Sequence, residues 1–157
     1  MRKRGKGFHG KGSGQVDRGA WLQAISMQQP LTQEQIDDLG RAVHLAIERL
    51  RIGQPIEGDW HTLAAAVNVS MVLCERGVGE EYLPDILAAQ DALLRIFDRH
   101  GNTGRWAFDG PAYTALTRAV EIHEAQAAAI TRDGARAAML EVRRRAARGE
   151  VLNRVPA

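Results

Sequence analysis

From Thr32 onward, apolar residues recur at helical spacing in five blocks, each opened and closed by helix-terminating residues. Thr32 and Gln35 form a capping-box start for a first helix over 33–52, which Gly53 stops. Its apolar positions Ile36, Leu39, Val43, Ala46, Ile47 and Leu50 fall in one stripe about 100° wide, as a core-facing helix requires. A second helix, expected over 60–76 with Asp59 as its cap, is apolar nearly all round (Trp60, Leu63, Val67, Val69, Met71, Val72, Leu73, Cys74) and belongs at the centre of a bundle. A third covers 80–100, with Pro84 in its first turn, Gly101 at its end and a stripe of Leu83, Ile86, Leu87, Leu93, Leu94 and Phe97. A fourth covers 111–131 behind Asp109 or Gly110, with Tyr113, Leu116, Ala119, Val120, Ala127 and Ile130 on one side. After a break at Thr131–Gly134 a fifth covers 135–148, carrying Ala135, Ala138, Met139, Val142 and Ala146 on one side and arginines on the other. No segment of the body alternates as a strand does. The expected fold is all-α: an antiparallel helical bundle of four to five helices, with short connections between neighbours.

The first 20 residues break this pattern. MRKRGKGFHGKGSGQVDRGA holds six glycines and almost no apolar groups, so burial cannot offset the entropy of ordering it, and a disordered basic Gly-rich arm is expected. Residues 21–157 are read as a single bundle domain. Trp21, Leu22, Ile25 and Met27 are expected to lie extended, or as a short turn, against the body.

Charge sharpens that division. Over 157 residues, 21 Lys+Arg against 19 Asp+Glu give +2, but six bases and one acid in the arm make it +5 and leave −3 for the rest. All three lysines (Lys3, Lys6, Lys11) are in the arm. Cys74 is the only cysteine, so no internal disulfide forms, and a lone thiol in an apolar run fits a reducing cytoplasm. No apolar stretch approaches 18 residues, so no membrane span is expected, and glycines rather than an apolar core follow the basic start, unlike a secretory leader.

Candidate chemistry is sparse. Gly5-x-x-x-x-Gly10-Lys11 approaches a phosphate-binding loop, but position 12 is glycine where a hydroxyl must hold Mg²⁺, and no strand leads in. Leu63-Ala64-Ala65-Ala66-Val67-Asn68-Val69-Ser70 resembles the middle of a helix-turn-helix. The following Met71-Val72-Leu73-Cys74 is too apolar to read base edges, and one unbroken helix is the rival reading. The five histidines fall in no metal-binding pattern, and no catalytic set, metal site or cofactor is assigned.

Three groups remain as candidate sites. Arg2, Lys3, Arg4, Lys6 and Lys11 of the arm, with Arg136, Arg143, Arg144 and Arg148 of the fifth helix, form a candidate nucleic-acid surface that neutralises phosphates. Arg105, Trp106 and Phe108, among glycines in residues 101–110, are either protein-interface anchors or a plug closing one end of the bundle. Asn68, Gln90 and His123 lie inside apolar stripes and need partners. They form either an internal network or a small pocket, with Gln90 and His123 lining it.

WHTLAAAVNVSMVLCERGVGEEYLPDILAAQDALL and TGRWAFDGP, within residues 33–152, resemble uncharacterised small helical proteins of proteobacterial phages and prophages. That resemblance implies a phage or mobile-element accessory protein in the cytoplasm of a bacterial host, and supplies no active site. The expected function is therefore non-enzymatic and regulatory: association with nucleic acid through arm and arginine face. The alternatives are a protein-binding inhibitor or adaptor using the Trp/Arg loop or the acidic bundle surface, and an enzyme with an unrecognised site. The faces around Trp21 and the fifth helix also suit self-association as a homodimer.

Overall fold

A computed structural model describes residues 26–150. In chain order it contains α1 (Gln33–Arg51), α2 (Glu57–Glu75), a single 3₁₀ turn (Glu80–Tyr82), α3 (Leu83–Thr103), α4 (Gly110–Ala129) and α5 (Arg132–Ala147). Among the described residues there is no strand, only an isolated antiparallel bridge between Pro30 and Thr131. The expected all-α bundle is the observed fold, with five full helices among the described residues.

The α2 helix touches each of the other four, as its all-round apolar sequence requires. Trp60, Leu63, Val67, Ile86, Leu93, Ile96 and Leu116 form the main core. A smaller cluster of Val72, Leu73 and Ala138 seats α5 on α2. Nothing interrupts α2 at Asn68, so the helix-turn-helix likeness is local to the sequence.

Helix starts follow the side chains available to take the first free N–H groups. Thr32 Oγ1 accepts from Gln35 N at 3.2 Å while Gln35 Oε1 accepts from Thr32 N at 3.0 Å, completing the capping box. Asp109 caps α4 by accepting from Ala112 N at 2.7 Å, and Thr131 caps α5 by accepting from Gly134 N at 3.0 Å.

Several boundaries differ from the sequence reading. Residues 80–82 form a 3₁₀ turn, so α3 starts at Leu83, and α4 ends at Ala129 rather than 131. Three others have a clear local cause. Asp59 is not the cap of α2 but its third residue. Its carboxylate reaches back to Ile56 N at 2.8 Å and is also held by Arg49, so it stays inside the first turn. α3 runs past Gly101 to Thr103, because Gly104, at φ +71°, adopts the left-handed conformation that closes it. α5 begins at Arg132, three residues before its apolar face starts, because Thr131 supplies the cap.

Four stripe residues are also less buried than expected. Leu39, Leu87, Tyr113 and Met139 are 39–47% exposed, at the margins of their stripes.

Candidate functional site

α5 carries the body's densest positive charge. Arg136 and Arg143, seven residues and about two turns apart, are exposed on one side of it and make no ion pair among the described residues. The other arginines are engaged. Arg144 pairs with Glu141 at 3.0 Å, and Arg148 with Glu150 at 3.0 Å. Arg145 bridges Glu141 at 2.9 Å and Glu75 of α2 at 2.7 Å, fixing α5 to the centre of the bundle. The hydrogen bond from Arg145 holds the Glu141 carboxyl below its ordinary range. Of the four arginines proposed from the sequence on α5 and its C-cap, Arg136 and Arg143 are therefore free to meet a ligand, whereas Arg144 and Arg148 must first leave a carboxylate. Arg2, Lys3, Arg4, Lys6 and Lys11 lie outside the described residues.

The chain reaches the bundle beside this arginine face. Arg132 donates from its backbone N to Gln29 O at 3.0 Å and from Nη1 to Ser26 Oγ at 2.7 Å, and Pro30 bridges Thr131. Residues 26–30 are thus strapped to the first turn of α5, on the element that carries Arg136 and Arg143.

Beneath the strap, α1 and α5 diverge over α2 and α4. The space between them is a cavity of about 180 Å³ floored by Ala66, Val69, His123 and Ala127 and walled by Leu39 and Met139. It opens to a mouth of about 580 Å³ where Met27, Leu31 and Leu140 join the lining. Arg136 and Arg143 stand on one rim and Gln35 and Asp38 on the other.

The polar candidates do not share a pocket. Gln90 Nε2 donates to Asn68 Oδ1 at 3.2 Å between α3 and α2, whereas His123 Nδ1 lies 3.1 Å from Ser70 Oγ between α4 and α2. Asn68 and Ser70 are two positions apart, about 200° around the helix, so α2 sends them to opposite neighbours. His123 alone of the three lines the cavity.

Burial pushes the His123 imidazole below its ordinary pKa, against a smaller opposing pull from Glu124. The unfolded chain therefore takes up this proton first. The contribution of His123 is complete above the ordinary histidine value and is lost as pH falls through the folded one. Urea unfolding between about pH 7 and pH 5 should show stability falling with pH, and His123→Gln should flatten that slope. An unchanged slope in the variant would contradict a His123 held neutral in the folded chain.

The Gly101–Gly110 region closes one end of the bundle. The Trp106 ring stacks on His100 at 3.8 Å and lies 6.2 Å from both Phe97 and Trp60, and Phe108 meets Tyr113 edge-on at 5.8 Å. Arg99 pins the loop through Ala107 O at 3.2 Å and Asp109 at 3.1 Å. Trp106 and Phe108 are half-buried against the core, and Arg105 is exposed.

Two buried polar centres escaped the sequence reading. Asp59 is 1% exposed and gripped by Arg49 Nε at 2.9 and 3.0 Å. Gln126, 3% exposed, donates to Val78 O at 2.9 Å and Ser70 O at 3.2 Å. Gln126 is visible in retrospect, since it follows Ala119 by seven positions on the buried side of α4. Cys74 donates to Gly79 O at 3.1 Å, and burial pushes its thiol up, which suits a structural cysteine rather than a nucleophile. Among the described residues no group of three or more metal-ligating side chains gathers, and no helix is long and apolar enough to cross a membrane.

No protein-family model, curated protein or solved structure matches this chain.

Proposed function

We propose that this chain is a non-enzymatic regulatory protein that associates with nucleic acid, its basic segment 1–20 and the exposed arginines of α5 meeting the phosphate backbone. It acts in the cytoplasm of a bacterial host as an accessory protein of a phage or mobile element, as the sequence resemblance implies. The observation that carries the reading is the strap between Ser26 and Arg132. The +5 segment lies five residues upstream of Ser26 in sequence, and α5, to which Ser26 is bonded, carries Arg136 and Arg143, which supports a reading in which both basic regions meet one phosphate backbone. Neither would bind strongly alone. Joined, they release counterions together, and affinity then falls steeply with salt.

The alternative of a protein-binding adaptor using Arg105, Trp106 and Phe108 has less support, because the two aromatic anchors are packed against the core. Deleting residues 1–20 separates the readings. Binding of a labelled duplex or single strand, followed by fluorescence anisotropy at low salt, should weaken by about tenfold or more on deletion. Undiminished binding would refute the part given to the basic segment.

A further inference from the structure

We propose that the groove between α1 and α5 is the seat of residues 21–25 of this same chain, with Trp21, Leu22 and Ile25 covering Leu39, Met139 and the cavity floor. The inference rests on the groove and not on nucleic-acid binding.

The groove is apolar where a bundle surface should be polar. Leu39 is 41% exposed, and Met139 and Leu140 are each 45% exposed, around one mouth. A cluster of this kind marks a contact site rather than scattered surface residues. The chain preceding α1 already supplies part of the lining, through Met27 and Leu31.

Position and chemistry select the next residues upstream. The bonds from Arg132 to Ser26 and Gln29 hold the chain at the edge of the mouth. From there five residues reach about 7.5 Å as a helix or about 17 Å extended, so residues 21–25 cannot go far from the groove. Their sequence, Trp-Leu-Gln-Ala-Ile, carries no charge, whereas residues 1–20 carry +5 and suit no apolar seat. Trp21, Leu22 and Ile25 are spaced i, i+1, i+4, one face of a helical turn, and Ser26 and Met27 are already helical. The 180 Å³ floor is of the size that admits a ring or a branched aliphatic side chain, since an apolar cavity of about 150 Å³ takes benzene.

The test uses the full chain carrying Met139→Cys, with maleimide labelling at position 139 read by peptide mass. Trp21→Ser, Leu22→Ser and Ile25→Ser introduced together should raise the labelling rate by about tenfold or more. Equal rates with and without these three changes overturn the proposal. So does protection that grows with protein concentration, which would assign the groove to a second copy. Should the triple variant fail to fold, amide exchange in the unaltered chain decides. Exchange at residues 22–25 slowed by about tenfold or more supports the seat, and free-chain rates overturn it.

Discussion

Replacing Trp60 with alanine should lower the unfolding free energy by about 3–5 kcal/mol, the largest effect expected of any single substitution in this chain. The indole is 1% exposed at the meeting point of α2 and α3. Its Nε1 donates to Leu93 O at 2.9 Å, and its ring lies 5.2 Å from Phe97 and 6.2 Å from Trp106. Truncation therefore opens a cavity, removes the hydrogen bond from the indole to Leu93 O and takes away the surface on which the 101–110 loop rests. Trp60→Phe retains most of the volume and should cost clearly less. Urea denaturation of both variants checks the ordering. A loss below about 1 kcal/mol for the alanine variant would mean that the core is not organised around this ring.

Asp59→Ala is the second large effect, expected at about 2–3 kcal/mol. The carboxylate joins α1 to the first turn of α2, accepting from Arg49 and from Ile56 N. Arg49 has one side towards water, at 29% side-chain exposure, and can rehydrate when its partner is removed. The reverse change, Arg49→Met, is expected to be the more damaging, because it leaves the carboxylate buried without its counter-charge.

Acid should reveal the same pair. Burial alone would raise the Asp59 pKa, but the hydrogen bonds from Arg49 and Ile56, together with the charge of Arg49, outweigh it and hold the carboxyl below its ordinary range. With the folded pKa depressed, the stabilisation is complete above the ordinary carboxyl value and is lost as pH falls through the folded one. Arg49→Met should move the acid unfolding midpoint upward. An unmoved midpoint would show that Arg49 does not set this titration.

Local signals carry most of this fold because its elements are helices with marked ends. Thr32 and Asp109 each name a start through a side-chain oxygen that takes a free N–H, and that chemistry is legible without tertiary contacts, whereas Thr131 does the same for α5 inside a segment that reads as a break. Asp59 looks the same in sequence and behaves differently, because Arg49 competes for its carboxylate from a neighbouring helix. Gly101 looks like a stop, yet it is Gly104 that takes the left-handed conformation and closes that helix, its N–H bonded to His100 O.

The candidate sites were less legible for a related reason. Periodicity identified Asn68, Gln90 and His123 as polar residues on apolar faces. It could not tell that α2 stands between Gln90 and His123 and divides them into separate pairs. The sequence likewise offers Arg136, Arg143, Arg144 and Arg148 as equally available. Only the carboxylates of Glu75, Glu141 and Glu150 in space distinguish Arg136 and Arg143 from their engaged neighbours.

The central claim is that two basic regions far apart in sequence act on one phosphate backbone. The slope of log affinity for a labelled DNA duplex against log salt, measured for the intact chain and for Arg136→Gln/Arg143→Gln, tests it most directly. The account predicts a linear dependence in both, with the slope of the double variant shallower by about 2 and residual binding retained by the arm. A slope left unchanged by removing both arginines would contradict it.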